Sequence, residues 1–352
     1  MSSARNDRAK DNFALVRLIM AALVFVAHFK VLTGGTLIEW IPMAGDWRVS
    51  SFFVVSGYVI AASYERSPHP LRFYCKRFFR IYPLYALMIF IQAAGMSLFF
   101  ANDLAAQLPS IARYLVANLV MLNFLAHDIG GLLRDAPNPG INASLWTLKV
   151  EAMFYAVMPL LFLLWRRFGV WPLVVLFVGS EIYAEYMLHV GKEPLSRQLP
   201  GVLRFIVAGM AFYHYRHKFR VSARTATVVC LIGLPLMQFR DFHLPAWLLP
   251  FLTAPLIIML ATKVPVLWQP RIDLSYGLYL MHAPLIQFAL LTGVFRDSYT
   301  FMAGLALVTA ALAYVGYRFI EVPGQAAGRK VLRWLDSRGT PLNQTSERGS
   351  DG

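Results

Sequence analysis

The sequence predicts an all-α, polytopic integral membrane protein with about ten transmembrane helices, one further interfacial or re-entrant helix, and both termini on the cytoplasmic side. Three observations carry that prediction. Of the 352 residues, 58% are hydrophobic and only 15% are charged, far from the balance of a soluble domain. Apolar runs of about 17 to 22 residues recur along most of the chain, each long enough to cross roughly 30 Å of hydrocarbon as a helix. The basic residues between those runs fall in clusters, and clusters of Lys and Arg assign sides.

The runs lie at 12–32, 47–64, 81–100, 111–126, 145–165, 170–189, 199–215, 223–238, 245–262, 273–292 and 299–320. The basic segments are Arg5/Arg8/Lys10, Arg66 to Arg80, Arg166/Arg167, Arg216 to Arg224, Lys263/Arg271 and Arg329/Lys330/Arg333. If every run crosses, Arg166/Arg167 and each later basic loop land outside. If the weak run at 111–126 does not cross, all the basic segments share the cytoplasmic side. The stretch 101–144 is then an external excursion. This divides the chain into a cytoplasmic tail at 1–11, a membrane domain at 12–325 and a second cytoplasmic tail at 326–352, whose polar end "SRGTPLNQTSERGSDG" reads as disordered. The first run is too long for a cleaved leader, and no small-residue cleavage site follows it. The net charge of +14 fits basic loops beside membrane lipid and gives no reason to expect nucleic acid. Cys75 lies in a basic loop and Cys230 in an apolar run, so no disulfide framework is expected, and no metal site either. "NAS" at Asn142 and "NQT" at Asn343 match the glycosylation sequon but carry little weight.

Within this layout a few polar residues lie where hydrocarbon penalises them. In "RLIMAALVFVAH", Arg17 and His28 are eleven residues apart. Eleven helical steps return almost to the starting direction with a rise of about 16 Å, so the two share one face at different depths. Either alone is explained by a snorkelling arginine or a histidine bonded to a backbone carbonyl. "SFFVVSGYVI" holds Ser56-Gly57, a pair that permits close helix approach. "CKRFFRIYP" places Arg77 and Arg80 on one face at the cytoplasmic mouth of the third run, where guanidinium forks suit phosphates or simply flank the membrane. In "NASLWTLKVEAMFY", Ser144 is a candidate N-cap, and Glu151 lies roughly 10 Å inside, either functional or paired with a Lys or His. In "DLSYGLYLMHAP", His282 reaches middle depth, either at a site or supporting a kink at Pro284. Arginines at the inner mouth joined to a buried His and Glu describe an enzyme with a charged donor inside and an acceptor outside. They also describe some transporters.

Taken in order, these stretches resemble the membrane acyltransferase family 3, the O-antigen and exopolysaccharide O-acetylase type. Its Arg-x10-His is matched by Arg17 and His28, and its FFxxSGF by "FFVVSGY" at Phe52 to Tyr58. Its RxxR-I-x-P resembles "RFFRIYP" at Arg77 to Pro83, and its SLW-x3-VE-x2-FY resembles "SLWTLKVEAMFY". "SYGLYLMHAP" is similar to its SYxxYLxHxP, and "EVPGQ" at Glu321 to its Glu-x-Pro ending. The chain departs from the pattern at Phe13, where many members have an acid, and at Ala152, where many have a second one.

The resemblance implies an acyl-CoA-dependent O-acyltransferase of the bacterial inner membrane, moving an acyl group, most often acetyl, from cytoplasmic acyl-CoA to a sugar hydroxyl. The acceptor would be a glycan or lipid-linked glycan of the cell envelope. It implies no bound cofactor, with acyl-CoA as cosubstrate. Without a fused soluble domain, transfer would finish in the membrane domain or on a separate envelope partner protein. His28 would be the catalytic base or transient acyl carrier, with Glu151 assisting it or acting on the acceptor. Arg17, Arg77 and Arg80 would bind the donor, Ser56 would shape the passage near the histidine, and His282 would line the substrate site. An exporter of a lipid-linked glycan or small molecule is the alternative. It would call for inverted repeats and interrupted helices in corresponding halves, which the sequence does not display.

Overall fold

A computed structural model describes residues 11–38, 40, 47–100, 103–239, 245–266 and 268–338. Arg5, Arg8, Lys10 and most of the expected C-terminal tail, with Asn343, lie outside the described residues. Among the described residues the fold is entirely helical. Its elements are α1 (Phe13–Thr33), α2 (Trp47–Glu65), α3 (Pro70–Phe100), α4 (Leu104–Leu119), α5 (Leu145–Phe168), α6 (Trp171–His189), the short α7 (Glu193–Ser196), α8 (Leu199–His214), α9 (Ala223–Phe239), α10 (Leu249–Thr262), α11 (Ser275–Leu291), α12 (Tyr299–Gly316) and α13 (Val322–Ser337). A π-helical turn, Tyr317–Glu321, joins α12 to α13 and carries the first residue of "EVPGQ".

Ten of these helices overlie the ten runs expected to cross. By length and composition alone, five helical stretches suffice for crossing: Phe13–Thr33, Pro70–Phe100, Leu145–Phe168, Trp171–His189 and Tyr299–Ser337. Others fall short for a physical reason. At 16 and 17 residues, α8 and α11 rise only about 24 to 26 Å. Both lie inside the bundle, where protein rather than lipid satisfies their polar groups.

Hydrogen bonds fix the relative directions. The Asn12 side chain, just ahead of α1, donates to the Leu260 and Val264 carbonyls (3.0 and 2.9 Å), so the start of α1 abuts the end of α10. Arg17 meets Asp273 and His28 meets His282, so α1 and α11 ascend side by side in the same direction. Thr147 pairs with Tyr279 near the start of α5, while Tyr74 near the start of α3 donates to the Ala156 carbonyl, so α5 runs antiparallel to both α11 and α3. The stretch 101–144 therefore returns the chain to the end of the bundle at which α3 left it.

That excursion is built around α4, which begins at Leu104 rather than at 111 because Asp103 caps it, accepting from the Ala106 N–H (3.1 Å). It doubles back along α3. Tyr114 donates to Gln92 (2.8 Å), while Tyr85 and Tyr82 donate to the carbonyls of Asn118 and Leu119 (2.6 and 3.1 Å). Ser144 is the N-cap residue of α5, as the sequence suggests, but its hydroxyl makes no cap bond; Asn142 Oδ1 instead accepts the Ser144 N–H (3.0 Å) and orders the turn ahead of the helix. Asn142 is also buried, with its Nδ2 donating to the Leu280 carbonyl, so the amide nitrogen that glycosylation would modify is engaged inside the bundle.

One glycine seam sets the spacing of the interior. A Cβ on Gly57 would lie 2.0 Å from the Ile206 carbonyl oxygen, and one on Gly209 would lie 2.1 Å from that of Val54. Glycine at these positions lets α2 and α8 touch backbone to backbone, the packing that "SGY" suggests. Farther out, Arg204 on α8 and Glu181 on α6 form a buried ion pair at 2.6 Å, so neither charge meets lipid unpaired.

Candidate active site

The α1 stripe is a local consequence of helical periodicity, and α11 supplies its counterpart. At one end Arg17 Nη2 lies 2.7 Å from Asp273 Oδ2, and Arg80 from α3 approaches the same oxygen at 3.6 Å. One carboxylate, just ahead of α11, thus holds guanidinium groups from two helices together. Asp273 also accepts from the Ser275 hydroxyl (2.6 Å) and N–H (3.2 Å), which fixes the start of α11.

Eleven residues along α1, His28 Nδ1 lies 2.6 Å from His282 Nε2, with the rings stacked at 4.8 Å between centroids. His282 is fully buried, and its Nδ1 lies 2.9 Å from the Leu278 carbonyl oxygen. A carbonyl only accepts, so His282 Nδ1 is the donor, and in a neutral imidazole Nε2 is then the acceptor. His28 must therefore donate through Nδ1, which leaves its own Nε2 with a free lone pair. The backbone of α11 dictates the tautomer of a side chain on α1. Pro284 contributes as well. It has no N–H to offer the Leu280 carbonyl four residues earlier, and the amide of Asn142 fills that vacancy at 3.0 Å. The loop before α5 is thereby pinned one turn from the histidines.

These groups open on two chambers. The inner one, a narrow cavity of about 90 Å³, is lined by Arg17, Ser56, Arg80, Glu151, Tyr276 and Tyr279 among others. The outer one, about 520 Å³, is lined by His28, Arg48, His127, Asn142, Trp146 and Arg197 among others. Val49 borders both. Tyr279, on the wall of the inner chamber and 6.0 Å from the His282 ring between centroids, donates to Thr147 at 2.8 Å and meets the ring of Phe52 edge-on at 5.3 Å.

The fold brings together Arg17, Ser56, Arg80 and Glu151 in the inner chamber and His28 with His282 beside the outer one. It separates Arg77 from Arg80. Arg77 lies against the rings of Phe73 and Tyr155 (5.5 and 5.4 Å) and borders a neighbouring cavity of about 400 Å³. Glu151 accepts a short hydrogen bond from the Tyr155 hydroxyl, one turn along α5, rather than pairing with a Lys or His. Lys149 instead lies over the Phe124 ring at 4.8 Å. Spacing alone does not single out Asp273, Tyr279 or Arg48. Asp273 does carry a signal, standing nine residues before His282 much as Arg17 stands eleven before His28. Arg48, buried at the second residue of α2, carries the signal of a charge just inside an apolar run.

Residues 11–319 match the acyltransferase domain family, which covers nearly the whole helical bundle and every catalytic or binding candidate named above. The chain belongs to this acyltransferase family. Its relatives include the O-acetyl transferase of Shigella phage Sf6, 26% identical over 88% of this chain and 94% of that protein. Nodulation protein 10 of Rhizobium leguminosarum bv. viciae is 24% identical over 92% and 95% of the two chains. The exopolysaccharide production protein ExoZ of Rhizobium meliloti (strain 1021) is 28% identical over 68% and 75%. No solved structure matches the chain. An acyltransferase with apolar helices of crossing length is a membrane acyltransferase.

Proposed function

We propose that the protein transfers an acyl group, most often acetyl, from acyl-CoA at the basic, cytoplasmic end of the bundle to a sugar hydroxyl presented at the opposite end. The bundle would cross the inner membrane of a bacterium with ten helices and both termini inside. The observation that carries this reading is the division of one α1 stripe between two chambers, with paired arginines at one and a tautomer-fixed histidine at the other. Relatives named for O-acetyl transfer and exopolysaccharide production support a glycan acceptor.

In this reading Arg17 and Arg80 hold the donor phosphates, for which guanidinium forks are suited. The pantetheine arm spans the rise of about 16 Å along α1 and brings the thioester past Ser56 and Tyr279 to His28. The free Nε2 of His28 takes the proton of the attacking sugar hydroxyl. The sugar oxygen bonds to the acyl carbon as the carbon–sulfur bond breaks, and the proton passes from His28 to the departing thiolate. His282 keeps the base in its working tautomer and orientation, the role a third group plays behind a nucleophile and base. Glu151, engaged by Tyr155, shapes the anion-binding end.

The test follows label from acetyl-CoA into envelope glycan in membranes containing wild type or His28→Ala protein at matched abundance. Loss of at least about a hundredfold in transfer rate is expected for removal of a general base. Undiminished labelling by a stably expressed His28→Ala protein would sink the assignment.

A further inference from the structure

The inner chamber has a neighbour that acyl transfer leaves unused. A cavity of about 400 Å³ lies between α3, α5 and the end of α4, and Ile81 and Leu148 border both spaces. Phe78 and Val120 on its lining are 51% and 60% exposed, so it opens on the flank of the bundle, which hydrocarbon bathes in a membrane. Its wall is almost wholly apolar. Tyr74 donates to the Ala156 carbonyl, Tyr82 to the Leu119 carbonyl and Tyr155 to Glu151, so the polar tips of its tyrosines are already spent. Met121 ends α4 with φ 61°, a left-handed conformation in which glycine is usual, and so adds a flexible apolar side chain to the lining.

Arg77 is the exception. Among the described residues it is the one charged side chain on this wall, and no carboxylate lines the cavity. Its guanidinium touches the rings of Phe73 and Tyr155, but among the described residues none of its N–H groups meets a protein acceptor and it joins no ion pair. The neighbouring acids are committed elsewhere: Glu151 accepts from Tyr155, and Asp273 bridges Arg17 and Arg80. An apolar groove with one uncompensated cation, at the basic end of the bundle, is complementary to an amphipathic anion. We infer that the cavity binds an anionic phospholipid, with its phosphate on Arg77 and one tail along Ile81, Tyr82 and the end of α4. A zwitterionic headgroup carries the same phosphate beside its own cation, so net charge decides the preference. This site goes beyond acyl transfer and does not depend on it.

The experiment measures binding of tail-labelled phosphatidylglycerol and phosphatidylcholine, with the same acyl chains, to full-length protein in a neutral detergent. Wild type should bind the anionic lipid about fivefold more tightly, the worth of one basic side chain at a charged headgroup, with an advantage that shrinks as salt is added. Arg77→Gln should lose that preference, and Arg77→Lys should keep most of it. Ala152→Glu, which sets a carboxylate on the same wall, should also abolish it and is informative even if Arg77→Gln folds poorly. Lys330→Gln, on the exposed face of α13, should change nothing. Equal binding of the two lipids by wild type, or a preference that survives both Arg77→Gln and Ala152→Glu, overturns the inference. A preference that Lys330→Gln lowers as much as Arg77→Gln also overturns it, since the attraction would then be diffuse. Displacement of the labelled lipid by coenzyme A would give the cavity to the donor and overturn it as well.

Discussion

The two ends of the α1 stripe are built on opposite principles. At the Arg17 end, charge meets charge: one carboxylate, Asp273, bridges guanidinium groups from α1 and α3 in a partly exposed setting, leaving one net positive charge. At the His28 end, a chain of hydrogen bonds runs from the Leu278 carbonyl through a fully buried His282 to His28 without any formal charge. The first arrangement is adjustable, because an ion pair at a chamber wall exchanges readily for a ligand phosphate. The second is directional, because a carbonyl allows only one tautomer in each ring. Binding needs the former, and proton transfer needs the latter.

The contrast is open to breakage, from the largest expected effect downward. The seam that holds both ends in register is tested by Gly57→Ala, whose new methyl would overlap the Ile206 carbonyl. Backbone displacement in a close-packed interior costs on the order of 1 to 3 kcal/mol or more, so this variant should lose thermal stability in detergent and activity at both ends together. His282→Ala should lower kcat roughly tenfold to a hundredfold with little change in donor KM, because His28 keeps its place but loses the partner that fixes its tautomer. His282→Gln, which retains an acceptor, should recover part of the loss and shift the pH profile relative to His282→Ala. A merely structural role would instead lower abundance in both variants and leave the profile unmoved.

Asp273→Asn addresses the opposite end. With the shared carboxylate gone, Arg17 and Arg80 repel each other and splay, and donor KM should rise about tenfold with kcat changed less. A fall in kcat at constant KM would contradict the division of labour between the ends. The smallest effect belongs to the pair between α3 and α13. Arg72 and Asp336 meet at 2.6 Å at the surface. Such pairs contribute about 0 to 1 kcal/mol, so Arg72→Ala should leave transfer rates unchanged and thermal stability nearly so.

Much of this architecture is legible in the order of the residues. Composition and the recurrence of apolar runs establish a helical membrane protein, because each span must satisfy its own backbone in hydrocarbon. The spacing of Arg17 and His28 fixes their common face, because helical periodicity is local. Ser56-Gly57 signals a close approach for the same reason. Spacing does not supply partners. His282 lies 254 residues from His28 and Asp273 lies 256 from Arg17. No local rule specifies which helix faces which across such distances. Packing alone brings α11 alongside α1 and divides Arg77 from Arg80, whereas the Glu151–Tyr155 pair, four residues apart on α5, is local. Composition and periodicity thus settle the class of the fold and name the side chains that must escape lipid. Where each of them escapes to is decided in three dimensions, because that choice depends on the shape of the helix surfaces that meet.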